Sequence, residues 1–378
     1  MHDRSHDAFF FSAQIPFLKE HGVRITAVSS PEPDLEAFGR QVGVPVRGVP
    51  MARRLAPAAD LLSLFRLYRL FRAERPDIVH SHTPKAGLLG TLAASLAGIR
   101  GRVLSIFGLP QMTLAGPMKR LLDTTTRLAC RHAHLVWCDS PSMRRHVIRE
   151  RLCPPRKVFV LGQGSVSGID AEGRFNPAAY GLDRQLEVRS RYGIPLDAPV
   201  IGFIGRVVRE KGMGELARAW RQIRQEFPHA HLLLVGIFEP IDPLMPEEEN
   251  ILRQDPRVHL TGWRHDIPEH LAIMDLLVNP SYREGFGVAH LEAAAMGKPV
   301  LASRIPGSID SVVDGVTGTL IPPRDVQALI GALRRYLADP ALRHRHGQAG
   351  RARALAHFQP PALAAGLLNK YRQLLSPS

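Results

Sequence analysis

Short apolar runs, each followed by a polar loop and then by a stretch of helical period, recur along the chain and predict alternating strands and helices. In the first half the predicted strands are 23–29, 43–50, 77–81, 102–107, 134–139 and 158–161; in the second they are 200–204, 231–235, 258–261, 276–279, 300–303 and 319–321. The alternation argues for mostly parallel sheets covered on both faces by helices, the α/β class. Residues 9–21 (FFFSAQIPFLKEH) read as a helix leading into the first of these strands. A doubly wound domain ordinarily opens on a strand; none precedes Phe9, so that first strand is expected to be missing, or the chain to begin late. Residues 61–75 (LLSLFRLYRLFRAER) set Leu61, Leu64, Phe65, Tyr68 and Phe71 along one side of a helix, with Arg66, Arg69, Arg72 and Arg75 at every third position. This is either a packing helix with a solvated charged face or a membrane-surface helix drawn to anionic lipid.

The pattern weakens between Gly162 and Pro199, which is polar and rich in Gly, Asp and Arg, and restarts at Val200. The expected division is a first domain over 1–161, a linker over 162–199 with a short helix near 186–192, a second domain over 200–355, and a closing helix over 356–378 that crosses back to the first domain. A chain of 378 residues exceeds what one hydrophobic core usually serves, in agreement with two domains.

Charge separates the halves. Residues 1–160 hold 24 Lys and Arg against 12 Asp and Glu, an excess of 12, whereas residues 161–378 hold 25 against 23. The first half therefore suits an anionic surface, membrane or nucleic acid. Phe65, Tyr68 and Phe71 fall on the apolar side of their helix and form no exposed stacking row, which favours membrane and leaves nucleic acid unexpected. Three cysteines without metal-type spacing suggest reduced thiols, no run reaches the length of a membrane span, and the start MHDRSHD is not signal-like. A cytoplasmic protein, peripheral at the inner face of the plasma membrane, is the expectation.

The candidate chemistry sits in the second half. Residues 283–299 run from a strand end through Glu284 and Gly285-Phe286-Gly287 into a helix from Val288 that carries Glu292 and stops at Gly297 and Pro299. The helix N-terminus can seat phosphate, the glycines let backbone approach it, and a carboxylate can accept two hydrogen bonds from a sugar diol. On spacing alone two glutamates eight apart are equally a strand-turn-helix with two surface acids. Gly205, Arg206 and Lys211 follow the strand 200–204, and the two basic side chains, Arg206 and Lys211, can neutralise a diphosphate. Together these describe a nucleoside-diphosphate site. In the first half His82 and Lys85 open a loop after the strand 77–81 and are candidates for lining a cleft. His80 and His82, alternating on that strand, are expected to point to opposite faces.

Gly205-Arg206, Glu210-Lys211-Gly212, the Glu284 to Glu292 pair with Gly285-Phe286-Gly287 between, Pro306-Gly307, and Asp314 to Gly318 resemble the retaining glycosyltransferases of family 4. Residues 80–87 are similar to bacterial members that build surface polysaccharide or lipid-linked oligosaccharide. The resemblance implies a GT-B fold of two facing Rossmann-like domains, and transfer of a sugar from a nucleotide donor with retention and without an obligatory metal or other cofactor. It implies that Arg206 and Lys211 stabilise the leaving diphosphate, Glu284 contacts the donor sugar, Glu292 the ribose, and the amides near Gly287 and Val288 the phosphates. A lipid-linked or glycan acceptor would meet His82, Lys85 and Gly108 on the first domain. Two departures stand out: the absent opening strand, and Phe107 where many members carry a His before the Gly at 108. They keep open a non-catalytic nucleotide-sugar-binding subunit; the basic first half keeps open, less favoured, a DNA-modifying glycosyltransferase.

Overall fold

A computed structural model describes residues 14–52 and 56–376. The chain forms two compact units, Met1–Gly168 with Pro360–Ser378, and Ile169–Gln359. The expectation that no strand precedes Phe9, and the first residues of the expected 9–21 helix, fall outside the described residues.

In the first unit α1 (Gln14–Glu20), β1 (Ala27–Ser29), α2 (Pro33–Val42) and β2 (Val46–Gly48) precede α3 (Pro57–Glu74), β3 (Ile78–Ser81), α4 (Pro84–Leu96) and β4 (Gly101–Ile106). Then follow α5 (Gly116–His132), β5 (Leu135–Cys138), α6 (Pro141–Arg149) and β6 (Val158–Phe159). All pairings are parallel: β3-β4-β5-β6 form one sheet and β1-β2 a separate pair. The helix after β5 starts where Ser140 accepts from the Met143 amide at 3.1 Å, satisfying an end that has no intrahelical partner.

The second unit holds α7 (Leu182–Arg191), β7 (Val200–Ile204), α8 (Met213–Glu226), β8 (His231–Val235), α9 (Pro246–Gln254), β9 (Val258–Gly262), α10 (Ile267–Ile273) and β10 (Leu276–Asn279). It continues with α11 (Val288–Ala295), β11 (Val300–Ser303), α12 (Ser308–Ser311), β12 (Gly318–Ile321), α13 (Val326–Ala338) and α14 (Pro340–His357). Its six strands are parallel in the order β12-β11-β10-β7-β8-β9. Both faces of this sheet are covered, so the strands are continuous apolar runs; Val200, Ile201, Phe203 and Leu232 to Leu234 are fully buried, each such side chain contributing roughly 1.5–3 kcal/mol. The order reverses between β7 and β10, and the loops at the carboxyl ends of those two neighbours flank the usual ligand position of a doubly wound sheet.

The stretch expected as a linker is divided. Ile169, Ala171, Phe175, Val188 and Ile194 are buried in the core of the second unit, and α7 packs on α10. With Ala198 these make six apolar anchors over 30 residues, too sparse within a polar composition to leave a periodic run. The last helix, α15 (Pro360–Leu375), packs in the first unit against α1, burying Leu363, Leu367 and Leu368 with Trp137 and Leu161.

Candidate active site

Two loops meet at the reversal of strand order. After β7, Gly205 (φ 142°) lies against Gly236 (φ 154°), where a Cβ would sit 1.8 Å from the Gly205 carbonyl oxygen; only glycine lets the loops after β7 and β8 run so close. The Val207 amide donates to the Ile237 carbonyl at 2.8 Å, carrying the pairing past the strand ends. Glu239 is thereby brought beside Arg206, whose guanidinium donates to Glu239 Oε2 at 3.1 Å and to Glu210 Oε1 at 2.7 Å. Asp242 accepts the Glu210 amide at 2.7 Å and its carbonyl the Arg209 amide at 3.0 Å, which fixes the turn Arg209–Lys211.

That turn docks on the loop after β10. A Cβ on Gly212 (φ 70°) would stand 2.1 Å from the Pro280 carbonyl oxygen. Glu210 accepts from Arg283 Nη2 at 2.9 Å, and its carbonyl accepts the Tyr282 amide at 2.9 Å. Lys211 Nζ donates to Glu284 Oε1 at 2.6 Å, joined by Asn279 Nδ2 at 3.1 Å and Ser281 Oγ at 2.8 Å. These bonds all fall on Oε1; Oε2 takes none among the described residues. Burial alone would raise the Glu284 carboxyl, but Lys211, His290 and the hydrogen bonds hold it at about 2, so it is ionised at every physiological pH.

Gly287 (φ 83°) caps α11, whose first amides have no intrahelical partner and stand where the sequence places the candidate anion seat. A Cβ there would meet His290 Nδ1 at 2.3 Å. His290 is fully buried, with Nδ1 2.8 Å from Ser311 Oγ; that hydroxyl donates to the Ser308 carbonyl at 3.2 Å, so it accepts from Nδ1–H and leaves Nε2 unprotonated. Burial pushes His290 down to about 4 despite the pull of Glu284, and it stays neutral. A Cβ on Gly307 (φ 86°) would lie 2.4 Å from the Gly285 carbonyl oxygen, so the Pro306-Gly307 segment rests on the backbone of Glu284 and Gly285.

Arg206, Lys211, Glu284, Gly205, Gly285, Gly287 and Val288 thus converge in one unit. Phe286 belongs elsewhere: its ring is in the core, 5.5 Å from Phe358, and what it offers the site is backbone. Glu292, half-buried on α11, is pushed up to about 7 by burial, with Arg174 pulling the other way. Glu239, Asp242, Asn279, Ser281, Arg283 and His290 were not singled out from sequence. The one available signal was the pair of acids in 238–243 (FEPIDP), whose partners lie more than thirty residues upstream.

The first-unit candidates do not form a comparable cluster. Lys85 is tied to Asp60 of α3 at 2.8 Å. His82 follows the end of β3 and folds back, its ring 4.2 Å from that of His80; the expectation of opposite faces fails because the strand stops at Ser81. His80 bonds Tyr371 Oη of α15 at 2.6 Å and Ser105 Oγ at 2.7 Å. Phe107 lies 6.1 Å from His82 and edge-on to Trp137 at 5.2 Å, and Gly108 follows with φ 100°.

Residues 198–339 match the family described as Glycosyl transferases group 1, and residues 15–164 the Glycosyl transferase 4-like domain. The chain is 31% identical over 365 residues to the capsular polysaccharide biosynthesis glycosyltransferase CapM of Staphylococcus aureus, covering 97% of this chain and 94% of that one. It is 30% identical to the UDP-Gal:alpha-D-GlcNAc-diphosphoundecaprenol alpha-1,3-galactosyltransferase of Escherichia coli, over 77% of this chain and 74% of that one. Among solved structures, Anabaena HepE in complex with UDP and glucose superposes with a TM-score of 0.78 at 20% identity, covering 96% and 95% of the two chains. WaaG, a glycosyltransferase involved in lipopolysaccharide biosynthesis, superposes with a TM-score of 0.74 at 16% identity, covering 96% and 95%. Both share the α/β fold of GT-B glycosyltransferases.

Proposed function

The chain belongs to the group 1, 4-like glycosyltransferases, and from that premise we propose that it transfers a sugar, with retention at the anomeric carbon, from a nucleoside-diphosphate donor to a lipid-linked or glycan acceptor of surface polysaccharide assembly. The observation that carries the reading is Glu284: an ionised carboxylate fixed through Oε1 by Lys211, Asn279 and Ser281, with Oε2 left over, beside the N-terminus of α11. In this reading Oε2 accepts hydroxyls of the donor sugar, the first amides of α11 and the cations Arg206 and Lys211 take the diphosphate, and Glu292 takes the ribose diol. The cations then stabilise the charge that develops on the departing diphosphate, the largest electrostatic demand of such a transfer. In this reading the positive charge facing the diphosphate comes from Arg206, Lys211 and the N-terminus of α11, with no obligatory metal.

Membrane contact is part of the proposal and rests on the first unit. On α3 the buried stripe is Ser63, Leu67 and Phe71, while Leu61 (68% exposed), Leu62 and Phe65 (54%) face out beside Arg66 and Arg69. The outer face of α5 carries Met118, Leu121 and Leu128, each at least 40% exposed, beside Arg120 and Arg127. Outward apolar stripes with flanking arginines suit an anionic bilayer surface. Among the described residues no helix is long and apolar enough to cross a membrane.

The test is incubation with a panel of uridine- and guanosine-diphosphate sugars and undecaprenyl-diphosphate-linked acceptors. A product whose new linkage keeps the donor's anomeric configuration supports the proposal. Donor binding without transfer to any acceptor would favour a binding subunit instead.

A further inference from the structure

Three cations line the phosphate side of the site, Arg206, Lys211 and Arg283, and three carboxylates answer them, Glu210, Glu239 and Glu284. The cluster is charge-balanced without ligand. A diphosphate brings further negative charge into half-buried surroundings, so one carboxylate has to give way. Glu284 is fixed by three donors. Glu210 is gripped by two guanidiniums and by its own backbone, through Asp242 at its amide and Tyr282 at its carbonyl. Glu239 is different: its carboxylate is held by Arg206 alone among the described residues, at 3.1 Å, on a loop whose tip residue Ile241 is 76% exposed.

We propose that Glu239 is a built-in competitor for the diphosphate. It occupies one edge of the Arg206 guanidinium while the site is empty, yields that edge to the phosphates of the donor, and takes it back as the nucleoside diphosphate leaves. Glu210, on the other edge, keeps the guanidinium oriented throughout. The arrangement weakens phosphate binding and so favours release of a product that carries more charge than the donor. The inference rests on reading Arg206 as a phosphate ligand.

The test uses the full chain and titration calorimetry with UDP, GDP and inorganic pyrophosphate at low ionic strength, on wild type, Glu239→Gln, Arg206→Ala, the double variant and Glu210→Gln. Glu239→Gln is expected to bind the preferred diphosphate about three- to tenfold more tightly, and the gain should vanish in the Arg206→Ala background. Glu210→Gln should bind more weakly. In turnover, the donor KM and the inhibition constant of the nucleoside diphosphate should fall together in Glu239→Gln. Equal or weaker binding by Glu239→Gln, with Arg206→Ala impaired, overturns the competitor and leaves the phosphate role of Arg206 standing. Arg206→Ala binding as wild type does overturns that role, and the inference with it.

Discussion

Glu292 offers a titration that the proposed site must obey. Its carboxyl is pushed up to about 7 by burial, against about 4.3 for an unperturbed glutamate. Hydrogen bonds from a ribose diol favour the ionised form, so donor binding should drive the proton off. Between pH 8 and pH 6 the ionised fraction of such a carboxyl falls from about nine-tenths to about one-tenth, and donor affinity should fall about tenfold with it, with about half a proton released per donor bound at pH 7. Neither Glu284, at about 2, nor His290, at about 4, titrates in this window. The measurement is calorimetric titration with a nucleoside-diphosphate sugar in two buffers of different ionisation enthalpy; its phosphates are both esterified and contribute no proton of their own. Glu292→Gln should flatten the pH dependence. A pH-independent affinity, or a slope that survives in Glu292→Gln, refutes the ribose role. The sign for stability is opposite: the raised carboxyl makes the native state the better proton binder, so ligand-free stability declines as pH rises from the ordinary carboxylate range to about 7.

Lys211→Met leaves Glu284 as a buried charge without its cation and should cost about 3 kcal/mol, read as a lowered denaturation midpoint, with most of the loss recovered in the double variant with Glu284→Gln. Gly307→Ala forces a Cβ against the Gly285 carbonyl at a left-handed backbone; donor affinity should drop at least tenfold, checked by the same titration, and unchanged affinity would show that the two loops are not braced as described. Replacing Phe65 and Leu121 by Asp should abolish flotation with anionic liposomes while leaving donor binding intact, whereas persistent flotation would remove these helices from the membrane account.

The loops of the proposed donor site are legible in sequence because their glycines and charges are constrained locally: Gly212 and Gly287 adopt left-handed backbone, and Lys211 and Glu284 each follow a strand with an apolar run as its signature. What escaped depends on contacts distant in sequence. Glu239 matters only because the loop after β8 pairs with the loop after β7, and Asp242 only because it caps a turn thirty-odd residues away. On α3 the expected apolar side of Leu61, Leu64, Phe65, Tyr68 and Phe71 does not hold: the buried stripe is Ser63, Leu67 and Phe71, and Leu61 and Phe65 face out, because helical period alone does not say which apolar face finds a partner. In 162–199 the polar composition conceals the core anchors Ile169, Ala171, Phe175, Val188, Ile194 and Ala198.

The most direct measurement on the central claim compares wild type and Glu284→Gln for both donor binding and sugar transfer under the same conditions. The isosteric change keeps an acceptor for Lys211 and Ser281 but removes the ionised oxygen left for the sugar, so transfer should fall at least a hundredfold while the nucleoside diphosphate still binds within a few-fold of wild type. Undiminished transfer by Glu284→Gln would contradict the account.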